Sequence, residues 1–415
     1  MAKDSLIVGI DLGSTVTRVA VSAFGKDARP QLIGLGEAPS GGMRRGAIID
    51  LEETIKSLRF AKEQAERASS VKIESAYVSV GGTQTASRLS KGVIAVSRAD
   101  GEISQEDVSR VLQAASALAT PPNREIIHVI PRWFGVDAES GIYDPVGMQG
   151  IRLEVDAIVV DVSSQLLRNV EKCLSEAGIE MADAVLDVLA ASRSVLTRRQ
   201  KDIGVTLVDI GGSRTGLVVF EEGNIMYART LPIGASHITN DIAIGLKTNI
   251  DIAERIKLEY GSCTPHTFSK KDTVEFSRIS PGEMGSFSRR EVAEIIEARV
   301  REILHIANKE LKIIDHEASL PAGAVLVGSG AKIPGIVDIA KEELRLPAQM
   351  GFPADIEGVV ASVDDPSYAT VVGLALWGRD LEEQKKTHSV SFFSPRHEHS
   401  ARGGKLKRFF RAFIP

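Results

Sequence analysis

Two stretches of this chain share one hydrophobic grammar. Residues 5–24, SLIVGIDLGSTVTRVAVSAF, are two β-branched, apolar runs flanking Asp11-Leu12-Gly13-Ser14-Thr15. Residues 204–223, GVTLVDIGGSRTGLVVFEEG, repeat the pattern around Asp209, Gly211, Gly212, Ser213 and Arg214. Runs of this kind broken by a short Gly-rich turn predict β-hairpins. A third stretch, GAVLVGSGAKIPGIVDIAKEEL at 323–344, predicts a buried strand, a turn through Gly328, Gly330 and Ala331, and a helix after Pro334. Two further segments, 183–196 and 364–378, read as helices whose small residues Ala190, Ala191, Ala369 and Gly373 permit a close crossing. Between 85 and 164 a helix starting near Ser104, with Glu106 and Asp107 in its first turn, precedes strands around 128–136 and 153–160, a small α+β module.

The chemistry of the hairpin turns is that of an anion cradle. Gly13, Gly211 and Gly212 let backbone N–H groups approach a phosphate, and Ser14, Thr15 and Ser213 add hydroxyl donors. A strand-end aspartate accepts but does not donate, so Asp11 and Asp209 suit a hydrated Mg²⁺ bridging phosphate oxygens rather than phosphate itself. An Asp-Gly turn alone is equally a plain hairpin turn; it is the pair that points to one nucleotide gripped from both sides. No GxxxxGK[ST] occurs, which excludes a P-loop, and no GxGxxG lies between strand and helix.

Composition narrows the setting. The 415 residues are 43% hydrophobic and 25% charged with a net charge of −5, which fits several globular domains and gives no pull toward nucleic acid. Cys173 and Cys263 lie far apart without metal-ligand spacing and read as buried thiols in a reducing compartment. The N-terminus lacks a signal-peptide pattern, and no window reaches the roughly 20 apolar residues a spanning helix needs, so membrane contact is expected to be peripheral.

The final segment, GKLKRFFRAFIP, supplies such a contact. At about 100° per residue, Leu406, Phe409, Phe410, Phe413 and Ile414 share one arc, and Lys405, Lys407, Arg408 and Arg411 the other. At about 1.5 Å per residue a helix here would lie in an anionic membrane surface, being too short to cross one. Each cation would add about 1 kcal/mol near anionic lipid, and the cost of ordering so short a helix keeps a single tail reversible. A groove on another protein or on the chain's own body is the rival. The preceding 381–403 reads as a flexible tether.

Hairpin, hairpin and Gly-rich turn, in that order, resemble the actin, heat-shock-protein-70 and sugar-kinase superfamily. DPVGMQGIRLEV at 144–155, with GMRRGAIIDLEETIKSLRFAKEQAE at 42–66, resembles bacterial cell-division protein FtsA in particular, from about residue 5 to 380 and again at the terminus. The resemblance implies an α/β, actin-like two-lobed ATPase fold, with an FtsA-type 1C subdomain at 85–164 in place of actin 1B. It implies subdomain 1A at 1–84, 165–203 and 364–380, subdomain 2A at 204–242 and 319–363, 2B at 243–318, and an amphipathic helix at 404–415. It implies ATP and Mg²⁺ held by the hairpin residues named above, with Gly234, Gly328, Gly330 and Ala331, and with Glu254 and Lys257 near the adenosine. Expected partners are further copies in protofilaments, the FtsZ C-terminal tail on 2B near Arg289, Arg290, Arg299 and Arg301, later division proteins on 85–164, and the cytoplasmic face of the inner membrane at the septum. Relatives usually carry Gly-Thr where this chain has Ser213-Arg214, and nothing marks a general base, so slow hydrolysis is expected. A related actin-like platform for pilus assembly or cell shape is the alternative.

Overall fold

A computed structural model describes residues 5–25, 30–119, 121–316, 318–358 and 363–389. The chain opens with β1 (Ser5–Leu12), β2 (Val16–Phe24) and β3 (Gln31–Pro39), an antiparallel meander, followed by a two-residue ladder of β4 (Met43–Arg44) and β5 (Ala47–Ile48). Helix α1 (Leu51–Ser69) starts where the Asp50 carboxylate accepts the Glu53 N–H, a side-chain cap on an otherwise unpaired donor. It packs so closely on the meander that a Cβ on Gly36 would stand 1.8 Å from the Ala61 carbonyl oxygen. β6 (Ser75–Val80) then pairs parallel to β1.

An inserted module follows: β7 (Thr85–Ala95), α2 (Gln105–Ala119), β8 (Arg124–Val136), β9 (Glu139–Ile142) and β10 (Arg152–Ser163), a four-stranded sheet in the order β7-β10-β8-β9. It has its own core, in which Val108, Val111 and Leu112 of α2 meet Val129, Phe134 and Val155. Helix α3 (Ser164–Glu176) returns the chain to β11 (Glu180–Leu186), parallel to β6, and then to α4 (Asp187–Val195) and the short α5 (Arg198–Ile203). The helix expected over 183–196 therefore begins only at Asp187. Residues 183–186 are apolar enough for either state, and parallel pairing of Asp183–Leu186 with Tyr77–Val80 decides for strand.

The second half repeats the first. β12 (Val205–Ile210), β13 (Thr215–Glu221) and β14 (Asn224–Leu231) form a meander. A helical region comprises α6 (Ala235–Leu246), α7 (Ile250–Tyr260), the ladder of β15 (Thr273–Glu275) and β16 (Ser286–Ser288), and α8 (Arg289–Ile313). Then β17 (Ala324–Val327) and β18 (Ala348–Met350), either side of α9 (Ile336–Leu344), add parallel to β12. The sheet orders β11-β6-β1-β2-β3 and β18-β17-β12-β13-β14 are the same topology twice, with β19 (Glu357–Gly358) extending the first. After a 3₁₀ turn at Pro366–Tyr368, α10 (Ala369–Ser389) crosses α4. The contact is backbone on backbone, since a Cβ on Gly373 would lie 1.8 Å from the Ala190 carbonyl oxygen. Helix α10 runs on past Leu381, which is buried, into the stretch expected as tether. An Arg379–Glu383 pair one turn apart supports it there. The rest of that stretch, and the terminal helix expected at 404–415, lie outside the described residues. Among the described residues no helix is long and apolar enough to cross a membrane.

Candidate functional site

The turn after β1 and the turn after β12 meet. Asp11, Gly13, Ser14 and Thr15 from the first hairpin line one cleft with Asp209, Gly211, Gly212 and Arg214 from the second, and Gly328 joins them from the third motif. The cleft opens to solvent, and the space between its walls, open solvent included, is about 430 Å³. The hairpins touch across it. Ser14 Oγ and Ser213 Oγ share a hydrogen bond at 2.6 Å, and a Cβ on Gly212 would come within 2.5 Å of Thr15 Cγ2. Gly328 has φ +85°, and a Cβ there would stand 2.3 Å from Asp209 Oδ1, so glycine serves both the turn and the approach.

The two carboxylates are buried. Ser79 Oγ donates to Asp11 Oδ1 at 2.6 Å, orienting it from β6. Burial pushes the Asp209 carboxyl up to about 7, and the facing Asp11 charge pushes it the same way against the pull of Arg18. Two acidic groups facing each other in one cleft are suited to a divalent cation. Among the described residues no group of three or more His, Cys, Asp or Glu assembles a protein-only metal site. Two carboxylates fit an ion that keeps water and phosphate ligands, as Mg²⁺ does.

Several lining residues are not among those expected from the sequence. Arg18 faces Asp11 across the β1–β2 register, with its guanidinium held by Glu37 Oε1 at 2.6 Å and Ser367 Oγ at 3.3 Å. Val16, Ser329, Ser367 and Thr370 complete the wall. Position 18 is findable from hairpin pairing, whereas Ser367 and Thr370 arrive from the far end of the chain. Arg214 forms an ion pair with Asp187, the first residue of α4.

Other expected residues sit beside the cleft. Gly234 caps α6, and a Cβ on it would strike Gly211 O and Arg214 N at 2.5 and 2.7 Å, so it packs the second turn from behind. Gly330 and Ala331 are buried, with Gly330 close against Ile210. On α7, Lys257 Nζ donates to Glu254 Oε2 at 2.7 Å and to Thr239 Oγ1 at 2.8 Å, tying α7 to α6; neither Glu254 nor Lys257 lines the cleft, but Lys257 Nζ also reaches Ala235 O at 3.5 Å, and the Ala235 N–H donates to Gly211 O in the second turn. On α8 the four arginines are engaged within the fold. Arg299 grips Asp241 through two nitrogens, Arg301 reaches Glu297, Glu342 and Glu343, Arg290 pairs with Glu294, and Arg289 lies over the Phe268 ring.

Known proteins place this arrangement. Residues 206–373 match the family model of cell division protein FtsA, and 82–161 match that of the SHS2 domain inserted in FtsA. The chain is 38% identical to the FtsA of Bacillus subtilis (strain 168) over 374 residues, 90% of this chain and 83% of that protein. It is 33% identical to the FtsA of Pseudomonas aeruginosa over 386 residues, 93% and 92% of the two. Among solved structures, the PilM-PilN type IV pilus biogenesis complex superposes with a TM-score of 0.67 at 15% identity, covering 90% of this chain and 98% of that one. MreB5 of Spiroplasma citri bound to ADP gives 0.52 at 13% identity over 94% and 99%. Those two likenesses are of fold, and the fold is the actin-like ATPase one. With both family models and these full-length relatives in agreement, the chain belongs to the FtsA family of cell division proteins.

Proposed function

We propose that this chain binds ATP with Mg²⁺ in the cleft between its two hairpins and polymerises on the cytoplasmic face of the inner membrane at the division septum. There it anchors FtsZ filaments through 243–318 and recruits later division proteins through 85–164. The observation that carries the reading is the convergence of Asp11 and Asp209, from opposite halves of a duplicated fold, on one glycine-walled cleft. Backbone N–H groups at Gly13, Gly211 and Gly212 would cradle the phosphates, and the two carboxylates would hold the cation through its water shell. Bound Mg²⁺ supplies neutralising charge. The relatives in this family are cell division proteins, and the superposed MreB5 is bound to ADP, which supports nucleotide binding by this fold.

Membrane attachment rests on the segregated faces of residues 404–415. Weak single tails gain avidity when a filament presents many, so assembly and attachment reinforce each other. For an acidic tail docking on α8, Arg290 is the best placed of the four arginines, because its pair with Glu294 is at the surface and easily exchanged.

Calorimetric titration of the intact chain with ATP and Mg²⁺ tests the cleft, and absence of binding sinks that part. Co-sedimentation with anionic liposomes tests the anchor, using the full chain and a version ending at residue 403, each with and without ATP and an FtsZ tail peptide. The full chain should pellet and the shortened one should not; equal pelleting overturns the anchor reading.

A further inference from the structure

Among the described residues, the cationic side chains lining the cleft are Arg18 and Arg214. Arg18 is committed to Glu37 and Ser367. Arg214 is held differently. Its partner, Asp187, belongs to the first half of the fold and is fully buried, so the ion pair crosses between the halves behind the cleft wall that Arg214 lines. Asp187 has little freedom. Its Oδ1 accepts the Val188 N–H at 2.6 Å, and a Cβ on Gly81 would stand 2.0 Å from Oδ2.

The Arg214 backbone is equally fixed. Its carbonyl accepts the Gly211 N–H at 2.9 Å, a Cβ on Gly234 would meet its N and O within 2.8 Å, and Thr215 Oγ1 beside it donates to Ile233 O at 2.8 Å. Side-chain rotation is the freedom left to Arg214, and the open space beside it is the cleft. A guanidinium pairs with carboxylate or with phosphate through the same forked donors.

Building on the nucleotide reading above, we propose that Arg214 selects nucleoside triphosphate over diphosphate. It gives up Asp187 for an oxygen of the terminal phosphate, so Asp187 acts as the competitor that sets the threshold. The exchange also breaks an ion pair between the two halves, which makes the terminal phosphate felt at the start of α4.

The test is calorimetric affinity for ATP and for ADP, each with Mg²⁺, on the intact chain and two variants. Arg214→Gln should cut the preference for ATP over ADP by about tenfold, the worth of one charge-assisted hydrogen bond, with ADP affinity within about twofold of wild type. Asp187→Asn, which removes the competitor, should raise the preference. These opposite signs are not expected of a purely structural pair, whose loss lowers thermal stability and leaves the ratio alone. Should Arg214→Gln fail to fold with Asp187 unpaired, the double variant Asp187→Asn/Arg214→Gln restores a neutral pair and should show the reduced preference. A wild type that binds neither nucleotide overturns the cleft reading and this inference with it. A wild type that binds both, with an unchanged ratio in the variants, overturns this inference alone.

Discussion

Lowering the pH from 7 to 5 should loosen the seam between the inserted module and the first sheet through one side chain. His128 on β8 is buried, its Nε2 accepts the Leu186 N–H at 3.0 Å, and its ring meets Trp377 of α10 edge-on with centroids 5.4 Å apart. A nitrogen that accepts carries no proton, so the ring is neutral. Burial drives its pKa down from 6.5 to about 3. The folded value is depressed for a base, so the unfolded chain takes up the proton first. Stability is full above pH 6.5 and falls as pH drops toward 3. At about 1.4 kcal/mol per pH unit, the 1.5 units or so between 6.5 and pH 5 remove about 2 kcal/mol. That is a large share of the roughly 5–15 kcal/mol a folded protein holds.

Urea unfolding at pH 7 and pH 5 reads this directly, with tryptophan emission as the signal, since one of the chain's two tryptophans touches the histidine. The control is His128→Gln, whose side-chain carbonyl can accept the Leu186 N–H and does not titrate. Wild type should lose about 2 kcal/mol more than His128→Gln between the two pH values. If both lose the same amount, the seam is not acid-sensitive through His128.

Three further outcomes are expected. Gly373→Ala should lower the melting temperature: propensity favours alanine in a helix by about 1 kcal/mol, but a Cβ 1.8 Å from the Ala190 oxygen forces α4 and α10 apart at a cost of about 1–3 kcal/mol or more. An unchanged or raised melting temperature in calorimetry would mean that the helices part freely. Asp209→Asn should weaken Mg²⁺-dependent ATP binding by at least about tenfold while leaving the unliganded protein as stable as before or more so. A neutral amide removes the repulsion that Asp11 exerts on Asp209, and equal titration curves for variant and wild type would refute a cation role. Cys173 and Cys263 are buried, with thiols pushed up to about 11 and about 12, so a thiol reagent at pH 8 should label neither in the native chain and both in urea.

What the sequence reveals of this fold divides by range. Both hairpins and the turn at 328–331 are legible because their strands, turn glycines and aspartates lie within one or two dozen residues, where period-two patterning and turn chemistry operate. The α4–α10 crossing is legible for another reason: Ala190 and Gly373 are small at positions where a helix face would otherwise carry bulk. The start of α4 is not, because Asp183–Leu186 suits a buried strand and a helix alike and only the pairing with β6 separates them.

Glu254 and Lys257 are correctly read as neighbours on one helical face, yet the hydroxyl that gathers them, Thr239, belongs to α6. The α8 arginines look free in sequence, and the carboxylates that occupy Arg299 and Arg301 include Asp241, Glu342 and Glu343 from elements brought in by the fold. Arg214 shows the same limit inside the cleft. Turn chemistry places its backbone beside a phosphate cradle, but the direction of its guanidinium depends on Asp187, the residue at the strand-to-helix boundary that periodicity leaves open. The four-residue error at that boundary, 183 against 187, hides the partner, and with it the competition that would set how strongly a terminal phosphate is felt.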